Sequence, residues 1–315
     1  MPAMSPAQQA EQIKAKALSL GFDLCGIAPA GASQHADHLR AWLTAGRHGE
    51  MHYLAARFDE RVDVRTYFPP ARSVVCVAMN YHVPLTPAEA PSADSGRVAR
   101  YALGEDYHVH IQKRLKDLAD WLRATWPGTL TKFAVDTAPV LERELAVRAG
   151  IGWQGKNTNV ISPTIGSWIF LAELFTSLDL PADAPATDHC GTCTRCIDSC
   201  PTGAITRPYE LDATRCISYL TIEHRGDVAD DLRRLTGDWL YGCDVCQDVC
   251  PFNGRAPAAT DAALQPRLPI GRLDAAAVAQ WSPDDYQHAT RRSAMRRVKL
   301  PIFQRNARTV LENAT

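Results

Sequence analysis

Long apolar runs are scarce in this chain of 315 residues, and the best of them, Ser167 to Leu174, has only the length of a strand and carries Glu173. A helix that crosses a bilayer needs about 20 apolar residues, so none is predicted. Met1 to Gln12 has neither the basic start and apolar stretch of a secretory signal nor a twin-arginine pair. An excess of charge is missing too: 34 Lys and Arg against 35 Asp and Glu leave a net charge of −1. No global basic field announces a nucleic-acid partner, which would have to be met by a local patch. These absences predict a soluble, cytoplasmic chain in a compartment that keeps thiols reduced. Internal repeats are absent apart from a duplicated cysteine pattern.

What is present suffices for one large or two modest globular domains, since 46% of the residues are hydrophobic. Pro6 to Leu20 sets Ile13, Ala17, Leu18 and Leu20 at helical spacing and stops at Gly21. Phe22 to Ala28 reads as a short strand, Ala36 to Ala45 as a helix, and Ser73 to Met79 as a buried strand. Pro84 to Gly96 is polar, holds three prolines and reads as a loop. Asp106 to Trp126 keeps one apolar helical face, and Lys132 to Val135 is a strand with Asp136 at its end. A helix is predicted from near Pro139 to Gly150. Helices alternating with strands through Thr176 predict an α+β fold with an α/β-type N-terminal domain over 1–180. Pro181 and Pro185 mark a linker, 181–260 becomes short helical turns between cysteines, and 261–315 is a basic helical tail.

Of ten cysteines, Cys25 and Cys76 stand alone in apolar segments and read as buried small hydrophobes. The other eight are clustered. Cys190, Cys193, Cys196 and Cys200-Pro201 have the bacterial ferredoxin spacing, in which three thiolates grip one [4Fe–4S] cluster and the fourth ligates the other. In the second run, Cys243, Cys246 and Cys250-Pro251, a symmetric first ligand would fall at position 240, where Leu240 stands. Cys216 is the natural replacement. The swap then assigns Cys190, Cys193, Cys196 and Cys250 to one cluster and Cys200, Cys216, Cys243 and Cys246 to the second, in a ferredoxin-like double [4Fe–4S] domain. Zinc does not require the third thiolate, the longer last step or the Cys-Pro endings, and a disulfide framework fits neither compartment nor chain length. Clusters relay single electrons. A free-standing electron carrier would not need the long N-terminal region, which is therefore expected to house the chemistry.

The segment Asp136-Thr-Ala-Pro-Val-Leu-Glu-Arg-Glu-Leu-Ala-Val-Arg-Ala-Gly150 runs on through Ile151-Gly-Trp-Gln-Gly-Lys-Asn-Thr158. Three glycines in six residues predict a backbone that can lie against a large ligand. An aspartate at a strand end facing such a loop suits proton transfer, although a helix N-cap is the commoner use of an aspartate so placed. An acid acting near neutral pH needs a raised pKa, obtainable by burial.

Here the chain resembles the epoxyqueuosine reductases, the QueG family of iron–sulfur and cobalamin enzymes related to reductive dehalogenases. The resemblance rests on Asp136–Thr158, on Arg100-Tyr-Ala-Leu-Gly-Glu-Asp-Tyr-His108, on Cys216-Ile-Ser-Tyr-Leu-Thr-Ile-Glu-His-Arg-Gly226, and on both cysteine runs, the second ending Cys250-Pro-Phe-Asn253. It implies reduction of epoxyqueuosine to queuosine at the tRNA wobble position, the last step of queuosine synthesis, with Asp136 as proton donor. It also implies base-off cobalamin fed by the clusters. The cofactor contacts it carries over are Arg57, Asp136, Asn157, Val160 and Ser218, with the backbone of Asp244 and Val245. No lower-ligand motif of the Asp-x-His-x-x-Gly type is present, because Asp106-Tyr-His108 is followed by Ile111 where glycine is needed.

Arg291, Arg292, Arg296, Arg297, Lys299, Arg305 and Arg308 form a basic stripe with no intervening acid, suited to phosphate contact and equally to a solvated helix face. Arg225 joins it as a tRNA candidate by resemblance. Many family members continue past Arg305-Asn306-Ala307 into a helical-repeat extension, whereas this sequence stops at Thr315, which bears on how much tRNA is gripped. The expected partners are tRNA carrying epoxyqueuosine and an external electron donor, with a monomer sufficient. Two rival readings are a dehalogenase-like cobalamin reductase of a small molecule and a non-catalytic iron–sulfur electron-transfer protein.

Overall fold

A computed structural model describes residues 4–84, 94–268 and 271–315. Most of the Pro84–Gly96 loop lies outside the described residues. The chain divides into two compact units that do not follow linear order. The first takes the N-terminal segment to Ala45, Tyr53–Asn80 and His108–Thr192; the second takes Gly46–His52, Tyr81–Tyr107 and Cys193–Thr315. Among the described residues no helix is long and apolar enough to cross a membrane.

The first unit is built on a four-stranded sheet whose order is Leu24–Pro29, Ser73–Asn80, Ile169–Thr176, Thr131–Ala134, antiparallel throughout. Ser73–Asn80 is buried along its whole length, as its Val-Val-Cys-Val-Ala-Met run anticipates. The short helix Glu142–Arg148 lies over three of these strands, burying Leu145 and Ala146 against Ala28, Val74, Cys76, Ala134 and Phe175. Its approach is close enough that a side chain at Gly26 would collide with the Ala149 carbonyl. Gly150 follows in a left-handed conformation and ends the helix. One register row therefore runs Gly26, Cys76, Glu173, Ala134 across the sheet. Glu173 shares its face with Leu171 and Phe175, which pack into the core beneath that helix. The helices Pro6–Ser19 and Tyr107–Thr125 bury Ile13 and Ala17, and Ile111, Leu115, Leu118 and Leu122. Ser5 and Gln8 close the first with a capping box.

In the second unit Ser95–Val98 is the middle strand between Trp239–Tyr241, parallel, and Arg272–Asp274, antiparallel. The last helix, Leu300–Asn313, packs on Trp239–Tyr241 and on Ala275–Ala279, burying Ile302, Phe303, Ala307 and Val310. The basic C-terminal segment thus supplies a core element of its unit. Leu240 is fully buried, with Gly96 leaving room for its side chain and Asn306 Nδ2 donating to its carbonyl at 3.0 Å. This explains the leucine at the position where a symmetric ferredoxin would have a cysteine: here it is a strand-interior core residue.

Candidate active site

Thr131–Ala134 ends its strand, Val135 is buried, and the chain then turns at Asp136, whose φ is +55°. Aspartate tolerates the left-handed region better than most residues, and a non-glycine residue held there is a recurrent feature of active sites. The Asp136 side chain is 52% exposed, and its Oδ2 stands 3.2 Å from His108 Nε2. It is not a helix N-cap, because the helix begins at Glu142 with Leu141 at the cap. Nor is it buried. Burial falls instead on two neighbouring carboxyl groups that sequence reading did not single out as site residues.

Glu142, half-buried at the start of the covering helix, is pushed up to about 7 by burial, with Asp136 adding to the shift and Arg143, His108 and Arg61 opposing it. Glu173, 1% exposed in the Ile169–Thr176 strand, has no hydrogen-bond partner among the described residues for either carboxyl oxygen. Burial raises it well above the usual carboxylate range, and Glu142 and Asp136 push in the same direction. Leaving such a group unpaired costs about 1–3 kcal/mol even when neutral and more when charged, so burial favours its protonated form. The signal for it was legible as the lone charge inside the Ser167–Leu174 run.

The glycine-rich loop does not offer the open backbone expected of it. A Cβ at Gly150 would meet the Ala184 carbonyl, one at Gly152 the Ile161 carbonyl, and one at Gly155 the Ile161 side chain. These glycines serve the chain's close packing on itself, with Trp153–Gln154 paired to Val160–Ile161. Asn157 is buried and accepts from the Asn159 amide at 3.2 Å, and Lys156 donates to the Gly191 carbonyl at 2.6 Å. Val160 belongs to the apolar core. Arg57 is exposed and donates through Nε to Glu60 at 2.7 Å.

In the second unit, Cys216 caps the helix Ile217–Ile222, in which Ser218 is half-buried. The turns Arg195–Asp198 and Val245–Asp248, which carry Cys196 and Cys246, pack together. Burial pushes the Cys243 thiol up, and Cys216, Asp244 and Cys200 add to the shift. Cys246 is raised by burial and then by Cys216, Cys243, Asp244 and Cys196. Cys243 thus lies near Cys216 and Cys200, while Cys246 lies near Cys216, Cys243 and also Cys196, which the spacing assigned to the other cluster. Asp244 is buried and accepts from the Arg100 amide at 2.8 Å and its guanidinium at 3.1 Å. Arg100 also donates to Asp248 at 2.7 Å, so it braces the turn that holds Cys246 from both ends. Val245 is half-buried against the small core around Ala99, Ile217 and Trp239.

The basic stripe is less uniform than its sequence. Arg292 pairs with Glu105 at 2.7 Å and Arg297 with Glu223 at 2.9 Å, acids brought in from elsewhere in the chain. Arg305 is half-buried and donates to the carbonyls of Leu220, His224 and Gly226, which fixes the Glu223–Gly226 turn. The Arg225 amide donates to Glu50 at 2.8 Å while its side chain stays exposed. Arg291, Arg296, Lys299 and Arg308 are exposed.

Two family models match this chain: that of the 4Fe-4S double cluster binding domain over residues 189–253, and that of epoxyqueuosine reductase QueG, DUF1730, over 61–137. An epoxyqueuosine reductase of Gloeobacter violaceus is 41% identical over 312 residues, which is 97% of this chain and 96% of the relative. The solved structure of an epoxyqueuosine reductase with an epoxyqueuosine-modified tRNA-Tyr stem loop is 32% identical at a TM-score of 0.91, covering 98% of this chain and 82% of that one. A Bacillus subtilis epoxyqueuosine reductase, solved with its aspartate catalytic loop swung out of the active site, is 31% identical at a TM-score of 0.91, again covering 98% and 82%.

Proposed function

Because this chain belongs to the epoxyqueuosine reductase family, we propose that it reduces epoxyqueuosine to queuosine in tRNA, with Asp136 as the proton donor. The observation that carries the reading is the Asp136 turn: a half-exposed carboxylate in a left-handed conformation, held by His108 at a strand end. Its exposure on a loop accords with the relative whose aspartate loop swings.

The thiolate set suits two [4Fe–4S] clusters, with Cys190, Cys193, Cys196 and Cys250 assigned to one and Cys200, Cys216, Cys243 and Cys246 to the other. For cobalamin the fit is narrower. Asp136 and Ser218 present half-exposed polar side chains and Arg57 an exposed guanidinium, whereas Asn157, Val160 and Asp244 are buried and contribute at most through backbone or shape. Val245 sits beside the cluster ligand Cys246. Bound there, cobalamin would supply the reducing chemistry needed at the substrate carbon. Asp136 protonates the oxygen as the C–O bond opens, which removes the cost of expelling an alkoxide, typically a factor of ~10²–10⁴ in rate. Arg225, Arg291, Arg292, Arg296, Arg297 and Lys299 are assigned to tRNA phosphates. An external electron donor, a cytoplasmic site of action and a monomeric enzyme complete the proposal.

The test is anaerobic reduction of an epoxyqueuosine-modified stem loop by reconstituted enzyme, wild type against Asp136→Ala. Equal turnover overturns the assigned acid. Failure of both while cobalamin is bound overturns the substrate.

A further inference from the structure

Reduction of an epoxide to an alkene breaks two C–O bonds, forms one C=C bond and releases the oxygen as water, so each turnover consumes two electrons and two protons. The electrons come from the external donor through the clusters. Asp136 carries one proton and must be recharged before it can give a second.

We propose that Glu142 and Glu173 form an internal relay that returns a proton to Asp136. Glu142 passes its proton to the Asp136 carboxylate, and Glu173 stands behind it as the store. The inference rests on Asp136 being the proton donor.

The geometry is that of the sheet. Glu173 lies in register with Ala134, two residues before Asp136, and on the face covered by the helix that opens at Glu142. Its carboxyl group is buried with both oxygens unpartnered among the described residues, which no structural role in a sheet interior requires. Glu142 opens the helix that covers this face, and Asp136, His108, Arg143 and Arg61 all act electrostatically on its carboxyl group. Around Glu173 the titratable neighbours are Glu142 and Asp136, with Tyr67 and Cys76 also sensing it. Glu142, pushed up to about 7 by burial, stands between a more deeply buried acid and one open to substrate, the order a relay needs.

Both residues act through Asp136, so the decisive readouts are a pH profile and a spectroscopic signature. Single-turnover rates on the modified stem loop are measured from about pH 5.5 to 9 for wild type, Glu142→Gln, Glu173→Gln and Asp136→Asn, each reconstituted with clusters and cobalamin. Wild type should lose rate as pH rises through about 7, where Glu142 gives up its proton. Glu142→Gln should be on the order of tenfold slower and lack that limb, with KM unchanged. Glu173→Gln keeps volume and neutrality but has no carboxyl proton to pass on, so it should slow turnover while leaving the limb in place. If both glutamine variants match wild type in rate and profile while Asp136→Asn is dead, the relay is wrong and Asp136 stands. If Asp136→Asn turns over normally, the proton-donor assignment falls and the relay with it. Independently of activity, the wild-type infrared spectrum at pH 8 should hold a protonated-carboxyl carbonyl band. Its absence means Glu173 is ionised and overturns the store even if Glu173→Gln fails to fold.

Discussion

His108 Nε2 stands 3.2 Å from Asp136 Oδ2, joining the first turns of a long helix to the turn at a strand end. The contact crosses 28 residues of sequence and restrains an otherwise half-exposed carboxylate. A loop-borne acid needs such a restraint to be in place when the C–O bond opens. His108→Ala should therefore lower the single-turnover rate by about 10–100-fold, less than Asp136→Ala, with stem-loop affinity retained. Rates equal to wild type would remove His108 from the site.

Stability should carry the mark of the buried acids. Glu142 and Glu173 have folded-state pKa values above those of the unfolded chain, so between about 4.5 and their folded values the native state binds more protons than the unfolded state. Stability from these groups is present in full below the unfolded pKa and is lost as pH rises through the folded one. The melting temperature should fall from pH 5 to 8, and Glu142→Gln and Glu173→Gln should each flatten that fall. Calorimetry across pH on the cluster-loaded protein decides it; variants with the wild-type slope would contradict the assignment of raised pKa values.

Cys216 and Leu240 make a paired prediction. Cys216→Ser should cost one cluster, lowering iron from about eight to about four per chain in fully loaded protein. Restoring the ferredoxin pattern with Leu240→Cys should not rescue it. Position 240 is fully buried in a strand against Gly96, so its sulfur would lie in the core, and the lost leucine volume costs about 2–5 kcal/mol if it behaves as other large-to-small core changes do. Iron content and melting temperature of the single and double variants test both halves; recovery of eight irons in the double variant is the contrary result.

The parts legible in the sequence are those set by local chemistry. Gly21 and Gly150 end their helices in left-handed conformations, as glycine stops predict, and the cysteine spacing gives turns at Arg195–Asp198 and Val245–Asp248. What tertiary packing decides was not legible. Gly152 and Gly155 look like a ligand cradle in one dimension and are close contacts with Ile161 in three. Glu142 is one of several charges in the Asp136–Gly150 segment and Glu173 interrupts an apolar strand; only the sheet register and the covering helix set them on one face. Likewise the acids that neutralise part of the basic stripe, Glu105 and Glu223, lie far from it in sequence.

That partial neutralisation separates the basic residues by function. Arg296 and Lys299 are exposed, so each should contribute sequence-independent phosphate affinity. Arg296→Ala should weaken binding of the modified stem loop and reduce the slope of log affinity against log salt by about one. Arg297, engaged by Glu223, must exchange that partner for a phosphate, so Arg297→Ala should weaken binding less, and Glu223→Gln should strengthen it. Arg305 behaves differently: its guanidinium holds the carbonyls of Leu220, His224 and Gly226, and Arg305→Ala leaves those acceptors unsatisfied. It should lower the melting temperature, with binding lost only as far as the Glu223–Gly226 turn loosens. Titrations of stem loop at several salt concentrations, read beside melting temperatures, distinguish the three; an Arg305→Ala protein of wild-type stability with a reduced salt slope would move Arg305 from the scaffold to the phosphate contacts.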